Sequence, residues 1–313
     1  MSLAVIVLTY NESLHIDRCL ACVKRFADQV LVVDSYSTDD TVDRARSYNV
    51  NLMQNKWTNH ANQMNWAIEN GGITTDWVMR IDADEHVSEA FISAISAKLD
   101  SASQDIGGFA IDRRILFMGQ EIRHGGMSPM WITRVWRHGW AYCEDRWMDE
   151  HMVLKHGNVG RLKGTLIDQN LNTLTWWTHK HNIYANREAA ESLAHFYGLR
   201  RQDDGTQVMD GQTRVKRWLK DTVYSRLPLG IRPWLYFLYR LVFRLGLLDG
   251  ARGMIFHTLQ GLWYRLLVDS KIRETRDEIE RHGVAPQAAI EQVLGVSINI
   301  ATRAEESYRS QDQ

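Results

Sequence analysis

The stretch WVMRIDADE, residues 77–85, decides both the fold and the candidate site. Its first five residues have the composition of a buried β-strand, and the carboxylates of Asp82, Asp84 and Glu85 follow directly. In open α/β sheets, ligands bind at the carboxyl ends of the strands. Two aspartates one residue apart in a turn can both offer oxygens to one Mg²⁺ or Mn²⁺, which then bridges to substrate phosphates. A D-x-D pair alone is weak evidence, because most such acids are solvated turn residues.

Strand-like and helix-like patterns alternate before this stretch. Apolar, β-rich runs at 3–8, 29–33 and 50–53 are separated by segments with helical periodicity. This alternation predicts βαβ units with right-handed crossovers and an α/β fold with a mostly parallel sheet. Asn11, which follows the first run, is expected to cap the first helix.

Composition places the chain among ordinary globular proteins. It has 313 residues, 44% hydrophobic and 24% charged, and a net charge of −1, which gives no overall footprint for nucleic acid. Three cysteines (Cys19, Cys22 and Cys143) make no disulfide framework, and we interpret them as core residues in a reducing compartment. The first residues lack a basic n-region and a cleavage site, so we expect no signal peptide.

Three predicted strands end in polar clusters. These are Thr9-Tyr10-Asn11-Glu12, Asp34 with Ser35, and Asp82-Ala83-Asp84. On one edge of a parallel sheet they would line a single crevice. No G-x-G-x-x-G and no G-x-x-x-x-G-K-[ST] is present, so the dinucleotide and P-loop interpretations are poor. A nucleotide bound here would need a metal ion to offset the charge of its phosphates.

Four segments in order resemble the family 2 glycosyltransferases, which are inverting enzymes with a GT-A fold. They are Thr9-Tyr10-Asn11-Glu12, the run from Val33 to Thr41, Gln63-Met64-Asn65-Trp66-Ala67, and Asp82-Ala83-Asp84-Glu85. The resemblance covers about the first hundred residues closely. It implies a nucleotide-sugar donor site at Thr9, Tyr10, Glu12, Asp34, Gln63, Asp82 and Ala83. It also implies Mg²⁺ or Mn²⁺ at Asp82 and Asp84.

A second chemical centre is predicted at Asp149-Glu150-His151. An inverting transfer needs one carboxylate to take the proton from the acceptor hydroxyl, in contrast with the carboxylate pair of glycosidases. The segment resembles a Val-His-Glu segment in the bacterial branch that includes lipopolysaccharide-core glucosyltransferases. That resemblance favours Glu150 as the base, with Asp149 in place of the family histidine, and the choice between the two stays open.

Asp168 stands where that branch often has a histidine near the metal. The resemblance makes it a candidate third metal ligand, and the alternative is an ordinary loop aspartate. Among the arginines that follow the predicted strands, Arg113, Arg114 and Arg134 could hold the donor diphosphate or an anionic acceptor. They could equally be exposed strand charges.

Residues 213–265 form a basic aromatic region with ten basic and two acidic residues, a charge of +8. Arginines interrupt every apolar run before it reaches the ~18–20 residues that span a bilayer. Such a pattern favours helices lying on an anionic membrane surface. The alternative is a helical appendage packed on the catalytic domain with its arginines solvated. Nucleic-acid binding is disfavoured, because apolar bulk outweighs any stacking pattern.

We therefore predict a catalytic domain at 1–200, a membrane-association region at 201–296 and a polar tail at 297–313. The expected activity is metal-dependent, inverting transfer of a sugar, most simply from a UDP sugar, to a lipid-linked saccharide in bacterial surface polysaccharide or lipopolysaccharide synthesis. We place the protein peripherally on the cytoplasmic face of the inner membrane. The alternatives are a non-catalytic nucleotide-sugar-binding scaffold and a nucleotidyltransferase.

Overall fold

The structure is a computed structural model that describes residues 1–144, 151–199 and 227–297. Its first half alternates strands and helices as predicted. In chain order, these elements are β1 (Leu3–Thr9), α1 (Ile16–Val23), β2 (Gln29–Asp34), α2 (Thr41–Ser47), β3 (Asn51–Gln54), α3 (His60–Asn70) and β4 (Trp77–Asp82).

The chain from Glu85 to Asp168 is built mainly from strands. They follow as β5 (Glu85–Val87), α4 (Glu89–Ile92), α5 (Ile95–Asp100), β6 (Ile106–Phe117), β7 (Gln120–Ile122), β8 (Trp131–Arg137), β9 (Ala141–Cys143), β10 (Met152–Leu154) and β11 (Asn158–Asp168). The long helix α6 (Leu174–Phe196) comes next.

Nine strands form one sheet in the order β3-β2-β1-β4-β8-β6-β11-β5, and β7 pairs with β6. The four strands from β3 to β4 are all parallel, as are β6 and β11, while β8 runs antiparallel to both of its neighbours. The register aligns Thr9 with Asp34 and Leu8 with Asp82. The carboxyl ends of β1, β2 and β4 therefore meet at one edge, and the predicted α/β architecture is confirmed.

Two apolar cores cover the two faces of the sheet. Alternate residues of β4 divide between them, with Trp77, Met79 and Ile81 in one core and Val78 in the other. Helices α1, α4 and α5 cover the first face and α3 covers the second. The strand is buried on both sides, which explains why its sequence is a continuous apolar run rather than an alternating one. Cys19 and Cys143 are buried in these cores, and none of the three cysteines forms a disulfide.

Three expectations about local structure need correction. Asn11 does not cap α1, which begins at Ile16; Asn11 has φ 55° and its side chain accepts a hydrogen bond from the Thr38 N–H. Asp168 is the last residue of β11 rather than a loop residue, because Ile167 and Asp168 pair with both neighbouring strands. The helical periodicity from about Asn182 to Leu199 predicts a later start for helix α6, which begins at Leu174 because the Thr173 side chain caps it by accepting from the Trp176 N–H.

The described part of the C-terminal region, residues 227–297, is largely helical. It contains α7 (Arg232–Leu238), a π-helical turn (Tyr239–Phe243), a 3₁₀ turn (Gly246–Asp249), α8 (Gly250–Phe256), a second π-helical segment (His257–Trp263), α9 (Tyr264–His282) and α10 (Pro286–Leu294). Helices α9 and α10 pack on α6 through their own apolar core. None of the helices in the described ranges combines the length and the apolar character needed to cross a bilayer.

Candidate functional site

Asp34 lies at the carboxyl end of β2 with its carboxylate buried. One oxygen accepts a hydrogen bond from the Thr9 hydroxyl (3.0 Å), and the other accepts from the Ser37 N–H (2.9 Å) and the Gln54 side chain (3.1 Å). Hydrogen bonds of this kind fix a carboxylate in place. A nucleobase that binds to the Asp34 carboxylate would therefore replace one of these protein donors.

Tyr10 and Glu12 differ in how much they are free to contact a ligand. The Tyr10 side chain is 57% exposed beside this edge. Glu12 is engaged by His15, whose Nδ1 lies 2.6 Å from the carboxylate, while the His15 Nε2 accepts a hydrogen bond from the Leu171 N–H at 2.8 Å. An imidazole that accepts at Nε2 must donate from Nδ1, so the fully buried His15 links Glu12 to the segment after β11.

Gln63 of α3 is fully buried. Its amide donates to the Ser35 hydroxyl (3.1 Å) and accepts from the Asn55 side chain (2.8 Å). These contacts fix the segment after β2, next to Asp34. The position assigns Gln63 to the support of the predicted nucleoside site rather than to its exposed surface.

Asp82 ends β4 between two arginines. Arg80 donates to both of its carboxylate oxygens at 3.2 Å, and Arg134 of β8 donates to one at 3.2 Å. Burial raises the pKa of Asp82, but the two cations outweigh it and hold the pKa well below its usual range. The carboxylate is therefore ionised, and its negative charge is already shared by two fixed cations.

Asp84 is the less constrained member of the D-x-D pair. One carboxylate oxygen accepts from the Asn170 side chain at 3.1 Å, and the Asp84 carbonyl accepts from Arg18 of α1 at 2.9 Å. Arg18 also donates to the carbonyl of Gln169 at 2.7 Å, so one guanidinium joins the turn after β4 to the end of β11. Ala83, between the two aspartates, is buried in the apolar core.

Glu85 is buried beneath this turn. It accepts from Arg134 at 2.7 Å and from the N–H of Asp82 at 3.0 Å, which closes the turn. Burial raises the pKa of Glu85 to about 7, against the lowering effect of Arg134. Glu85 thus organises the turn that presents Asp82 and Asp84.

Asp168 joins the same cluster from β11, where it pairs in register with Glu85. Arg113 of β6 donates to the Asp168 carboxylate, and its Nε lies 3.4 Å from Glu85. Burial raises the pKa of Asp168, Arg113 opposes this, and the Asp84 and Asp82 carboxylates raise the pKa further. The pairing of Asp168 with Glu85 and their shared contact with Arg113 bring Asp168 to the turn that carries Asp82 and Asp84.

A further cation reaches this cluster from α6. The Lys180 ammonium lies 4.6 Å from the Trp176 ring centroid and 5.7 Å from that of Tyr184. Burial lowers the pKa of Lys180, but Tyr184 and the carboxylates of Asp84 and Glu12 outweigh it and raise the pKa. Lys180 is therefore a candidate contact for a phosphate at the same edge.

The aspartates offer the hard oxygen ligands that Mg²⁺ and Mn²⁺ prefer. In the described part of the chain, however, no three His, Cys, Asp or Glu side chains are arranged to hold a metal ion by themselves. A cation at Asp82, Asp84 and Asp168 would therefore have to take further oxygens from a bound phosphate, which is the usual mode for Mg²⁺.

The two candidates for the catalytic base, Asp149 and Glu150, lie outside the described residues, and the assignment of the base stays a prediction. The structure shows how the flanking residues are held. The Glu144 N–H donates to the His151 carbonyl at 3.1 Å, and the His151 Nδ1 lies 3.1 Å from the Glu144 carboxylate. Strands β9 and β10 pair directly beyond, with Cys143 opposite Met152.

The sequence patterns missed most of the cations in this site. Arg80 was hidden inside an apolar strand, and Arg18 and Lys180 stand on helices far from the D-x-D pair in sequence. Arg113 and Arg134 were noticed but could not be distinguished from exposed strand charges. Their side chains are half-buried and buried, respectively, and both reach carboxylates of the cluster. An arginine within a buried strand was the one available signal.

Residues 4–194 match the family described as Glycosyl transferase family 2. An uncharacterised glycosyltransferase of Rickettsia prowazekii is 35% identical over 103 residues, which are 33% of this chain and 35% of that protein. The match thus spans about a third of the length of this relative. LpsC, a lipopolysaccharide core biosynthesis glycosyltransferase of Rhizobium meliloti, is 24% identical over 300 residues, covering 94% of this chain and 98% of LpsC.

Two solved structures align over most of the chain. S. aureus TarS, in complex with UDP-GlcNAc, has a TM-score of 0.45 and 15% identity, covering 99% of this chain and 92% of TarS. The mannosyltransferase PcManGT of Pyrobaculum calidifontis, with GDP-Man and Mn²⁺, has a TM-score of 0.49 and 14% identity, covering 87% of each chain.

Proposed function

Because the chain belongs to glycosyl transferase family 2, we propose that it transfers a sugar from a nucleotide sugar to a saccharide hydroxyl with inversion at the anomeric carbon. The acceptor is lipid-linked, and the product contributes to a bacterial surface polysaccharide or lipopolysaccharide. A UDP sugar is the donor that we propose to test first. LpsC, which aligns over nearly the whole chain, is a lipopolysaccharide core biosynthesis glycosyltransferase, and this supports the proposed pathway class.

One observation carries the proposal: Asp34, Asp82 and Asp168 are the last residues of three strands that end at the same edge of the sheet. Tyr10 lies exposed at the end of β1, where a nucleoside bound near Asp34 could stack. The carboxylates of the D-x-D turn and the cations Arg113 and Lys180 then face the expected position of the diphosphate. Because the carboxylates of the turn would repel an anionic diphosphate, a nucleotide sugar can bind here only together with a metal cation.

Mg²⁺ or Mn²⁺ would be held by Asp84 and Asp82, with Asp168 as the candidate third ligand. When bound, the cation supplies positive charge to the diphosphate as it leaves. The protein side chains contribute in other ways. Asp84 has the freedom to turn toward a ligand, whereas Arg80 and Arg134 fix Asp82. Arg113 and Lys180 add positive charge where the leaving group gains negative charge.

The base is Glu150 or Asp149, and Glu150 is favoured by the resemblance. Deprotonation of the acceptor hydroxyl lets its oxygen attack the anomeric carbon while the bond to the nucleoside diphosphate breaks. The residues on either side of this segment are paired with each other, Glu144 with His151 and Cys143 with Met152. No covalent sugar–enzyme intermediate is required.

The C-terminal region supports a lipid-linked acceptor and a peripheral position on the cytoplasmic face of the inner membrane. Many of its large apolar side chains are exposed rather than packed: Ile231, Trp234, Leu235, Leu238, Tyr239, Val242, Phe243, Leu245, Leu247, Leu248 and Ile255. We call residues 231–248 the apolar face. An exposed apolar surface of this extent flanked by arginines is typical of proteins that bind a membrane surface.

The proposal is tested by donor binding. We expect one nucleotide sugar in a panel with Mn²⁺ to raise the melting temperature well above the others, because only a ligand that binds the native state stabilises it. The effect should disappear with EDTA. Release of nucleoside diphosphate then separates an enzyme from a non-catalytic binder. Stabilisation that is equal for all nucleotide sugars and unchanged by EDTA would contradict the metal-dependent donor site.

A further inference from the structure

A small cavity of about 210 Å³ lies where the C-terminal region meets the catalytic domain. One wall comes from the segment after β7, and the other comes from the turn that follows the first π-helical segment. Its lining residues are Arg123, His124, Gly126, Ser128, Phe243, Arg244 and Leu245. It is separate from the carboxylate cluster, and its chemistry is the opposite, since its charged side chains are basic.

A buried polar cluster fixes the two walls. Asp249, which follows the apolar face, accepts hydrogen bonds from the N–H groups of Arg123 (3.1 Å) and His124 (3.0 Å). Its carboxylate also lies 2.8 Å from the His124 Nδ1 and 3.0 Å from the His257 Nε2. Arg240, which is also buried, bonds the other nitrogen of His257 at 2.9 Å. The cavity is thus part of a junction in which buried hydrogen bonds link Asp249, His124, His257 and Arg240.

Two glycines allow the close approach of these walls. Gly125 has φ 65°, and a Cβ atom there would lie 2.3 Å from the His257 ring. Its N–H donates to the carbonyl of Arg244 at 2.8 Å. Gly126, with φ 79°, leaves room for the Arg244 guanidinium, whose Nε would lie 3.4 Å from a Cβ atom at that position. The Arg244 guanidinium is therefore held over the segment from 123 to 126.

The charges around the cavity favour an anion. Glu121 binds Arg123 at 3.0 Å and so offsets part of its charge. Asp249, the other nearby acid, is already saturated by His124, His257 and backbone N–H groups. In the described part of the chain, Arg244 makes no ion pair with an acidic side chain, so its positive charge is available to a ligand. Arginine's planar fork suits phosphate oxygens.

The cavity opens onto the apolar face. Phe243 and Leu245 line the cavity and are 76% and 53% exposed, so each belongs to both surfaces. A ligand with an anionic head in the cavity would place an attached hydrocarbon chain along this face. Neither a free phosphate nor a neutral lipid would use both surfaces.

We infer that this cavity binds the phosphate group of the lipid-linked acceptor, whose hydrocarbon chain then lies on the apolar face. The identification of the lipid as the acceptor rests on the proposed function. The binding of a phosphate group rests on the cavity alone. Arg244 is the principal contact, Arg123 and Ser128 complete the polar wall, and Phe243 marks the boundary with the chain.

Dodecyl phosphate below its critical micelle concentration is a suitable probe, with binding measured by calorimetry on the full chain. We expect Arg244→Gln to weaken binding at least tenfold, because a charge-assisted hydrogen bond is lost. Arg252→Gln, an exposed arginine of α8 outside the cavity, is the matched control and should change binding less than twofold. Phe243→Ser should weaken binding of dodecyl phosphate but leave binding of inorganic phosphate unchanged.

Three outcomes would overturn the inference. Equal weakening by Arg252→Gln would indicate diffuse surface charge. Inorganic phosphate binding as tightly as dodecyl phosphate would indicate a site for the free anion. Binding of a neutral dodecyl ether as tight as that of dodecyl phosphate would leave no role for the phosphate. Because no donor is present, failure here leaves the proposed sugar transfer standing, and failure of donor binding would leave phosphate binding by the cavity standing.

Discussion

The side chain of Asn65 makes two hydrogen bonds with the backbone of Cys143. It donates to the carbonyl oxygen at 2.9 Å and accepts from the N–H at 2.8 Å. This contact ties α3, which also carries Gln63, to the end of β9. Glu150 follows Cys143 by only seven residues in the sequence. The helix that supports the predicted nucleoside site therefore also anchors the strand that precedes the predicted catalytic base.

We expect Asn65→Ala to lower kcat by about tenfold or more, since two backbone groups of β9 lose partners worth about 1 kcal/mol each. The donor KM should change far less, because the Gln63 contacts remain. Asn62→Ala, an exposed position on the same helix, is the control. Steady-state kinetics of both variants decide the point; a selective rise in donor KM with unchanged kcat would contradict it.

The two aspartates of the D-x-D turn should differ in what their removal costs. Asp82→Asn leaves Arg80 and Arg134 facing a neutral group, and we expect a loss of about 3 kcal/mol in unfolding free energy, the low end for a buried pair because Asp82 is 30% exposed. Asp84→Asn keeps an oxygen that accepts from Asn170, so its free energy of unfolding should lie within about 1 kcal/mol of that of the native protein. Urea denaturation measures both. Equal destabilisation by the two substitutions would show that the charge of Asp82 is not needed to stabilise Arg80 and Arg134.

The junction around Asp249 should be intolerant of side chains at Gly125. Gly125→Ala and Gly139→Ala both place a Cβ at a positive φ, but only the former meets another group, the His257 ring at 2.3 Å. The shared backbone cost is about 1 kcal/mol. We expect Gly125→Ala to lose about 1–3 kcal/mol more, the usual cost of overpacking. Chemical denaturation of the two variants measures that difference. Identical midpoints would contradict close packing of Gly125 against the His257 ring.

The same junction should weaken in mild acid. Burial and the neighbouring Arg240 lower the pKa of His257. Below the unfolded value of about 6.5, the unfolded chain takes up a proton that the folded chain refuses, so stability falls as pH decreases from about 7 toward the lower folded pKa. We expect His257→Asn to be less stable than the native protein, and its unfolding free energy to change less with pH over this range. The exposed His282→Asn should keep the native pH profile. A His257→Asn profile parallel to that of the native protein would refute the assignment.

Much of the fold could be predicted from residues 1–85. The apolar runs and the polar residues after them gave the strands and the shared edge, because a parallel strand buried on both faces has a distinctive composition. The GT-A class expected from the family resemblance is confirmed by the family match. The turn at Asn11 could not be predicted, since a polar residue after a strand suits a cap or a left-handed turn equally.

The site was only half predictable. Asp34, Asp82 and Asp168 were identified as candidates, and the structure brings them to one edge. Their partners come from distant segments, such as Arg18 from α1 and Lys180 from α6, and sequence spacing holds no information on those contacts. Nor could the basic content of 213–265 distinguish buried arginines from free ones. Arg240 is buried in the junction, whereas Arg252 is exposed.

The most direct test of the central claim is release of nucleoside diphosphate from the best donor by the native protein and by Asp84→Asn. We predict release that requires Mg²⁺ or Mn²⁺, rises with a lipid-linked saccharide acceptor, and falls at least a hundredfold in Asp84→Asn, the magnitude usual for loss of one electrostatic contact to the developing charge. Full activity of Asp84→Asn, or release unaffected by EDTA, would contradict metal-dependent sugar transfer at this site.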